Sequence, residues 1–330
     1  MPGSLSASFL MVLLALLMEA GFGYPRFVFQ AISHPVVWIG ALIARLDRSL
    51  NQPELSDLHR RIRGVFALLF LLGVVFGAVL MLDLVLFVAC GRWAGTWLLA
   101  VLGSSLVAQR SLHSHVAAVA EGLEREGLAG GRRAVSQIVG RNPAHLDEAG
   151  VVRAAIESLA ENFSDGVVAP SFWGAALGLA GMAGYKAVNT ADSMIGHRTE
   201  KHGAFGCASA RFDDVINLPA SRLAAFFIVI AAFTGKQDWR AAARAVWRDA
   251  GHHRSPNAGW PEAAMAGALG IRLAGPRVYG ETLVADGWMG DGRPGATVAD
   301  LRRALALYRW ACAVQMALIA LCTILLNCFR

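Results

Sequence analysis

Charge is scarce in this sequence. Only 16% of its 330 residues are Asp, Glu, Lys or Arg, while 55% are hydrophobic, and the mean hydropathy is +0.48. A soluble domain carries about a quarter charged residues, so the deficit places the chain among membrane proteins. Cysteine usage excludes two further classes. Cys90, Cys207, Cys312, Cys322 and Cys328 lie mostly in apolar segments and form no C-x-x-C pair, which argues against disulfides and a structural zinc site. There is no G-x-x-x-x-G-K-[ST] and no G-x-S-x-G, so ATP, if bound, is held without a P-loop. No alternating run is long enough to argue for a sheet, and no internal repeat or low-complexity linker divides the chain. Residues 1–330 therefore read as one integral-membrane domain. The net charge of +6 is not gathered into a stripe; it suits lipid headgroups and anionic substrates, with no sign of a nucleic-acid surface.

What is present is a set of apolar runs: Ser4–Met18, Gly64–Ala89, Ala94–Val107, Val167–Val188, Leu218–Phe233 and Ala311–Leu326. A span needs roughly 20 apolar residues. The first run lacks a basic segment before it and a small-residue cleavage site after it, so it reads as a retained span. Cations set the orientation. The N-terminal tail has none, and the turn between the second and third runs has only Arg92. Arg26, Arg45, Arg48, Arg60, Arg61 and Arg63 lie between the first two runs, six more cations between the third and fourth, and eleven between Phe233 and Ala311. Both termini and Arg92 are thus expected outside, with three cationic loops in the cytoplasm.

The run Val167–Val188 contains Pro170, Gly174, Gly178, Gly181 and Gly184, a poor composition for a straight lipid-facing helix. This run and Leu218–Phe233 are read as buried or re-entrant, which protein or a water-filled cavity permits. The predicted fold is all-α and polytopic, with about four transmembrane helices (five or six being the alternatives) and helical cytoplasmic loops. Two of those loop helices are Asp147–Asn162 and Trp239–Ala250.

The polar inventory concentrates between Glu157 and Asn217, where seven carboxylates surround an apolar run. Unpaired charges beside lipid-grade sequence cost several kcal/mol each. Glu157, Glu161 and Asp165 stand at i, i+4 and i+8, so a continuous helix aligns them over about 12 Å. Such a stripe is either a solvated salt-bridge face or, with Asn162 beside it, an oxygen-rich site for a hard cation such as Mg²⁺. Lys186, Asn189 and Asp192 share a face by their spacing of three; Lys186 either holds a phosphate or snorkels. Arg211, Asp213 and Asp214 are either a surface ion-pair cluster or a cation site that relieves the repulsion of adjacent acids. His34 opens His34-Pro35-Val36-Val37-Trp38-Ile39-Gly40, a loop turning into a helix, and by itself reads as a cap or packing histidine rather than a base. Arg254, Ser255 and Asn257, in a polar turn after His252-His253, suit phosphate or loop capping.

Taken together, these segments resemble the adenosylcobinamide-phosphate synthase family of cobalamin biosynthesis (the CbiB/CobD type). The resemblance rests on HPVVWIG at 34–40, VGRNPAHLDEAGVVRAAIESLAENFSDGVVAP at 139–170, YKAVNTADSMIGHR at 185–198, ASARFDDVIN at 208–217 and SPNAGWPEAAMAGALGIRLAGPRVYG at 255–280. One departure is Gly23-Tyr24-Pro25, where members often read G-D-P, and Glu19 stands where Asp is common.

The resemblance implies an inner-membrane ligase, with its active-site loops in the cytoplasm, joining adenosylcobyric acid to an aminoalcohol phosphate at the expense of ATP with Mg²⁺. It implies that Glu157, Glu161, Asp165 and Asp192 hold Mg²⁺–ATP or activate the amine, with Asp213 and Asp214 as further metal ligands. Lys186, Arg211 and Arg254 would contact phosphates, and His34, Asn162, Asn189, Ser255 and Asn257 would hold or orient substrates. Trp38 and Trp260 would lie against the corrin or serve as packing. Partners implied are the corrinoid, the aminoalcohol phosphate, the bilayer and other proteins of the pathway. The rival readings are a transporter and a Mg²⁺-dependent membrane transferase.

Overall fold

A computed structural model of the chain describes residues 5–24, 30, 33–140, 142–275, 277–279, 282–284 and 287–328. Ser4, Pro25, Arg26, Arg141, Pro276 and Gly280, all used in the sequence reading, lie outside them. The helices described are α1 (Leu5–Phe22), α2 (Pro35–Leu50), α3 (Asp57–Ser104), α4 (Gln109–Val135), α5 (Glu148–Phe163), α6 (Ala169–Ile195), α7 (Cys207–Thr234), α8 (Trp239–Asp249), α9 (Gly259–Leu269) and α10 (Val298–Cys328). A π-helical turn, Ser164–Val168, joins α5 to α6.

Among the described residues, five helical stretches are long and apolar enough to cross a membrane: Leu5–Phe22, Asp57–Val135, Glu148–Ile195, Cys207–Thr234 and Val298–Cys328. The outer surface of α3 is apolar, with Phe66, Leu69, Leu80, Met81 and Val88 all exposed. An apolar face of that extent is stable only in lipid or against a partner. The chain is an all-α, multi-pass membrane protein.

Three of the longest helices double back at a glycine. Gly91 in α3 (φ 72°, ψ 177°), Gly127 in α4 (φ 64°, ψ −156°) and Gly178 in α6 (φ 66°, ψ −156°) adopt a backbone that side chains disfavour. Residues eight apart would be about 12 Å distant along an unbroken helix. Instead, a β-carbon built on Gly122 would lie 2.8 Å from the Gly130 carbonyl oxygen, and one on Gly174 would lie 2.5 Å from Met182 Cγ. One on Gly181 would strike the Trp173 carbonyl. The runs Gly64–Ala89 and Ala94–Val107 are the two limbs of α3, and Val167–Val188 folds back at Gly178. That run is also buried: two thirds of its most apolar window is inside the protein, against 17% for the window in Asp57–Val135.

The helices fall into two compact units. The first is Met1–Ala108, Ala169–Asn217 and Ile319–Arg330; the second is Gln109–Val168 and Leu218–Leu318. In the first, α1 packs on α3 and α6 through Met11, Val12, Ala15 and Leu16, all essentially inaccessible. A second core gathers Ile39 and Ile43 of α2, Ala67 and Leu71 of α3, Ala187, Ala191 and Ile195 of α6, and Phe205. In the second unit, α5 starts at Asp147, whose carboxylate accepts the Gly150 N–H at 2.7 Å. Its apolar face, Val151, Val152, Ala155, Ile156 and Leu159, is fully buried, and it packs on α4 and α9.

Short strands appear where none is expected: β1 (Leu273–Ala274) pairs with β4 (Trp288–Met289), and β2 (Arg277–Tyr279) with β3 (Thr282–Val284), both antiparallel. At two or three residues each, they are too short to show the alternation that marks a strand in sequence.

Replacing Gly178 by Ala is expected to cost about 1–3 kcal/mol through backbone strain. Gly77→Ala, in the middle of α3 with nothing within 4 Å of a β-carbon, is expected to be neutral or stabilising. Thermal unfolding of the two variants in detergent measures the contrast; equal midpoints would refute the strain argument.

Candidate functional site

The first unit assembles an acid–amide cluster from α6 and α7. Asp213, buried, accepts hydrogen bonds from Asn217 Nδ2 at 2.9 Å and from Asn189 Nδ2 at 3.5 Å. Asn217 in turn accepts the Tyr185 hydroxyl at 2.9 Å, and the Trp173 indole N–H donates to the Ile216 carbonyl at 3.0 Å. Asp192 lies near enough to both Asp213 and Asp214 to feel their charge, and Arg198 acts on Asp214. The donors around Asp213 are neutral amides, which fix the orientation of its carboxyl group. A divalent cation would relieve the repulsion among the three acids.

The connection between Asp192 and Asp213 is pinned by α2 and α3. Lys201 Nζ donates to Asp47 Oδ2 at 2.7 Å, and Asn51 Nδ2 donates to the Lys201 carbonyl at 3.0 Å. Arg60 Nε donates to Asn51 Oδ1 at 3.0 Å, and its Nη2 donates to the Lys201 carbonyl. Burial works against the charged form of Asp47, but Lys201 and Asn51 outweigh it and hold the carboxyl below its usual range. A β-carbon on Gly64 would strike the Phe205 carbonyl, so α3 reaches the connection only because that residue is glycine.

His34 caps α2: its Nδ1 accepts the Val36 N–H at 3.2 Å, and its ring stands edge-on to Tyr24 at 4.7 Å. Burial first, and then the Lys186 charge, push the imidazole below its ordinary range, against a Ser105 backbone hydrogen bond. A neutral ring is what a capping acceptor requires. Arg211 is exposed and forms no ion pair among the described residues.

The second unit holds the other predicted residues in two places. Glu157 is buried, and its Oε1 accepts the Ala274 N–H at 2.8 Å. Glu161 and Asn162 are exposed at the end of α5, and Asp165 sits half-buried in the π turn. That turn ends the regular spacing on which a single-face stripe depends. It also buries Ser164 Oγ without a hydrogen-bond partner among the described residues.

The second place is the turn before α9. Ser255 Oγ accepts the N–H groups of Asn257 and Ala258, each at 3.2 Å. Asn257 Oδ1 accepts the Ser221 hydroxyl at 3.1 Å and Arg222 Nη1 at 3.0 Å. The Arg222 guanidinium lies 4.4 Å over the Trp260 ring. Arg254 is exposed with no partner among the described residues. Asp192, Asp213 and Asp214 belong to the first unit, and Glu157, Glu161 and Asp165 to the second.

Sequence reasoning overlooked Arg222, Tyr185, Asn217, Asp47 and Asn51. Arg222 did carry a signal: it is a lone cation inside the apolar run Leu218–Phe233, where charge is expensive and usually functional. It also overlooked Gly290-Asp291-Gly292-Arg293-Pro294-Gly295, which spells G-x-G-x-x-G. Those residues follow β4 and lead to α10 outside any βαβ unit, and a β-carbon on Gly292 would strike the Gly270 backbone. The spelling reflects close packing, not dinucleotide binding.

An all-α multi-pass membrane protein with an oxygen-rich acid–amide cluster is the class these features define. The family model described as CobD/Cbib protein matches residues 12–308, and the chain belongs to that family. It is 49% identical over 316 residues to "Cobalamin biosynthesis protein CobD" of Rhodobacter capsulatus, covering 96% of this chain and 97% of that one. It is 49% identical over 317 residues to the protein of the same name from Rhizobium meliloti, covering 94% and 96%. The Brucella suis protein of that name is 45% identical over 298 residues, covering 89% and 90%. No solved structure matches.

Ala274 has φ 57°, which strains a residue with a β-carbon, and the Glu157 bond holds it there. Glu157→Ala is expected to lower stability by about 1–3 kcal/mol, and Ala274→Gly to raise it by up to about 1 kcal/mol. Thermal unfolding in detergent reads both; an unchanged Glu157→Ala midpoint would show that this bond does not brace the turn.

Proposed function

We propose that the chain forms an amide between a carboxylate of adenosylcobyric acid and the amine of (R)-1-amino-2-propanol O-phosphate or ethanolamine phosphate, giving adenosylcobinamide phosphate. ATP is the cosubstrate and Mg²⁺ the metal. The cobalamin role printed in the relatives' names supports the substrate class. The observation that carries the chemistry is the acid–amide cluster of Asp192, Asp213, Asp214, Asn189 and Asn217.

All the reactants carry anionic groups, so their charge must be screened before an amine can attack. No group of three or more His, Cys, Asp or Glu that could hold a metal occurs among the described residues. Mg²⁺ would therefore be held by one or two carboxylates together with waters and substrate phosphates. Bound there, it supplies charge neutralisation at a transferring phosphoryl group. Asn217 and Asn189 hold Asp213 in one orientation, and Asp192 or Asp214 takes a proton from the substrate ammonium. Glu161, Asp165 and Lys186 remain candidates for phosphate or metal contacts. Activation of the corrin carboxylate as an acyl phosphate, followed by amine attack, balances the consumption of ATP.

Membranes bearing the protein, given adenosylcobyric acid, aminoalcohol phosphate and Mg²⁺–ATP, are expected to yield the amide by mass spectrometry. Asp192→Asn and Asp213→Asn are each expected to slow turnover by about 100-fold or more, and chelation of Mg²⁺ to stop it. Asp83 in α3 and Arg222 in α7 favour the transport reading, because both are ionisable groups within apolar helices. Accumulation of intact corrinoid in vesicles with no amide product would establish that reading instead.

The cation-rich loops are proposed to face the cytoplasm from an inner-membrane location. Single cysteines at the exposed positions Ser193 and Arg254, in a background without native cysteines, are both expected to react only when the cytoplasmic side is open to reagent. Labelling from opposite sides would overturn that topology.

A further inference from the structure

Arg222 is anchored on one side only. Its Nη1 donates to Asn257 Oδ1 at 3.0 Å, to the Pro256 carbonyl at 3.1 Å and to Ser221 Oγ at 2.9 Å. Two hydrogens shared among three acceptors leave that nitrogen fully used. Nε and Nη2 have no hydrogen-bond partner among the described residues, and no carboxylate among them forms an ion pair with the group. The guanidinium carbon lies over the Trp260 ring, 4.4 Å from its centroid. Ser221 and Asn257, which set its orientation, are buried.

A cation at this place is costly. It stands in the first turns of an apolar helical run, half-buried, and its neighbours offer it neutral oxygens only. Neutral acceptors fix the direction of a guanidinium but leave its positive charge whole. Stacking and the Nη1 anchor pre-set the fork, so little side-chain entropy remains to be lost when a second partner arrives. The geometry of the free edge, Nε–H beside Nη2–H, matches two oxygens of one phosphate.

We propose that the free edge of Arg222, positioned by Asn257 and Trp260, is the receptor for the phosphate of a soluble phosphate monoester. This rests on the reading above that the chain takes a phosphorylated substrate, and it makes Arg222 a substrate-binding residue.

Titration calorimetry on the full-length protein in phosphatidylcholine nanodiscs, with ethanolamine phosphate and separately inorganic phosphate, tests it. Both are expected to bind the wild type, and Arg222→Gln to bind at least about tenfold more weakly, the loss of a charged bidentate contact. Arg222→Lys keeps the charge and the packing stem but loses the fork, so weakened binding with an unchanged unfolding midpoint is expected. In Arg222→Ala, added methylguanidinium is expected to restore phosphate binding, which a purely structural arginine would not show. Wild-type affinity in Arg222→Gln and Arg222→Lys would overturn the proposal. So would a phosphatidylglycerol retained by the wild type but not by Arg222→Gln in native mass spectra, since the edge would then hold a lipid headgroup. Arg222-dependent phosphate binding without amide formation would leave this site standing and remove the ligase reading instead.

Discussion

The architecture depends on one backbone constraint: a helix can reverse within a single residue only if that residue has no β-carbon. Gly91, Gly127 and Gly178 each hold φ between 64° and 72° with ψ near the extended value. Each converts a helix that looks continuous in sequence into two antiparallel limbs. Close contact between the limbs then demands small residues beside the turn, as at Gly122 against Gly130 and Gly174 against Met182. Apolar segments that are short for a full span can thereby be buried in pairs, with their backbone hydrogen bonds still satisfied within each limb.

That folding style makes room for polar chemistry at membrane-protein cost. The limb of α6 after Gly178 carries Tyr185, Asn189 and Asp192 to the start of α7, where Asp213 and Asn217 wait. Every amide placed against Asp213 is a neutral donor, so its carboxyl group is oriented by hydrogen bonds and not by an ion pair among the described residues. Arg222 shows the same logic with the opposite sign, fixed by neutral acceptors and a tryptophan face. In both cases neutral hydrogen bonds fix the geometry of an ionisable side chain, which is how such an arrangement differs from an internal salt bridge.

Much of this was legible in the chain. The scarcity of charge predicted a polytopic membrane protein, and the glycines of Val167–Val188 predicted a broken, buried segment. The boundary near Arg92 fell beside Gly91, since a polar residue between apolar runs marks a reversal. The apolar period of Asp147–Asn162 marked the buried face of α5. The site was less legible. The i, i+4, i+8 spacing of Glu157, Glu161 and Asp165 assumes an unbroken α-helix, and the π turn at Ser164–Val168 ends that register. Glu157 looked equivalent to Glu161, yet one is bonded to the Ala274 backbone and the other is exposed.

By itself the sequence determined the class of solvent, the helical content and the family, because composition, local period and long motifs are properties of neighbouring residues. Which polar groups meet was decided only by tertiary structure. Asn51 reaches Lys201 across 150 residues, Glu157 reaches Ala274 across 117, and Arg222 reaches Asn257 across 35. No local pattern encodes those separations. They arise because a buried donor or acceptor must find a partner wherever packing brings one, and packing here is set by where the glycines let the helices turn back.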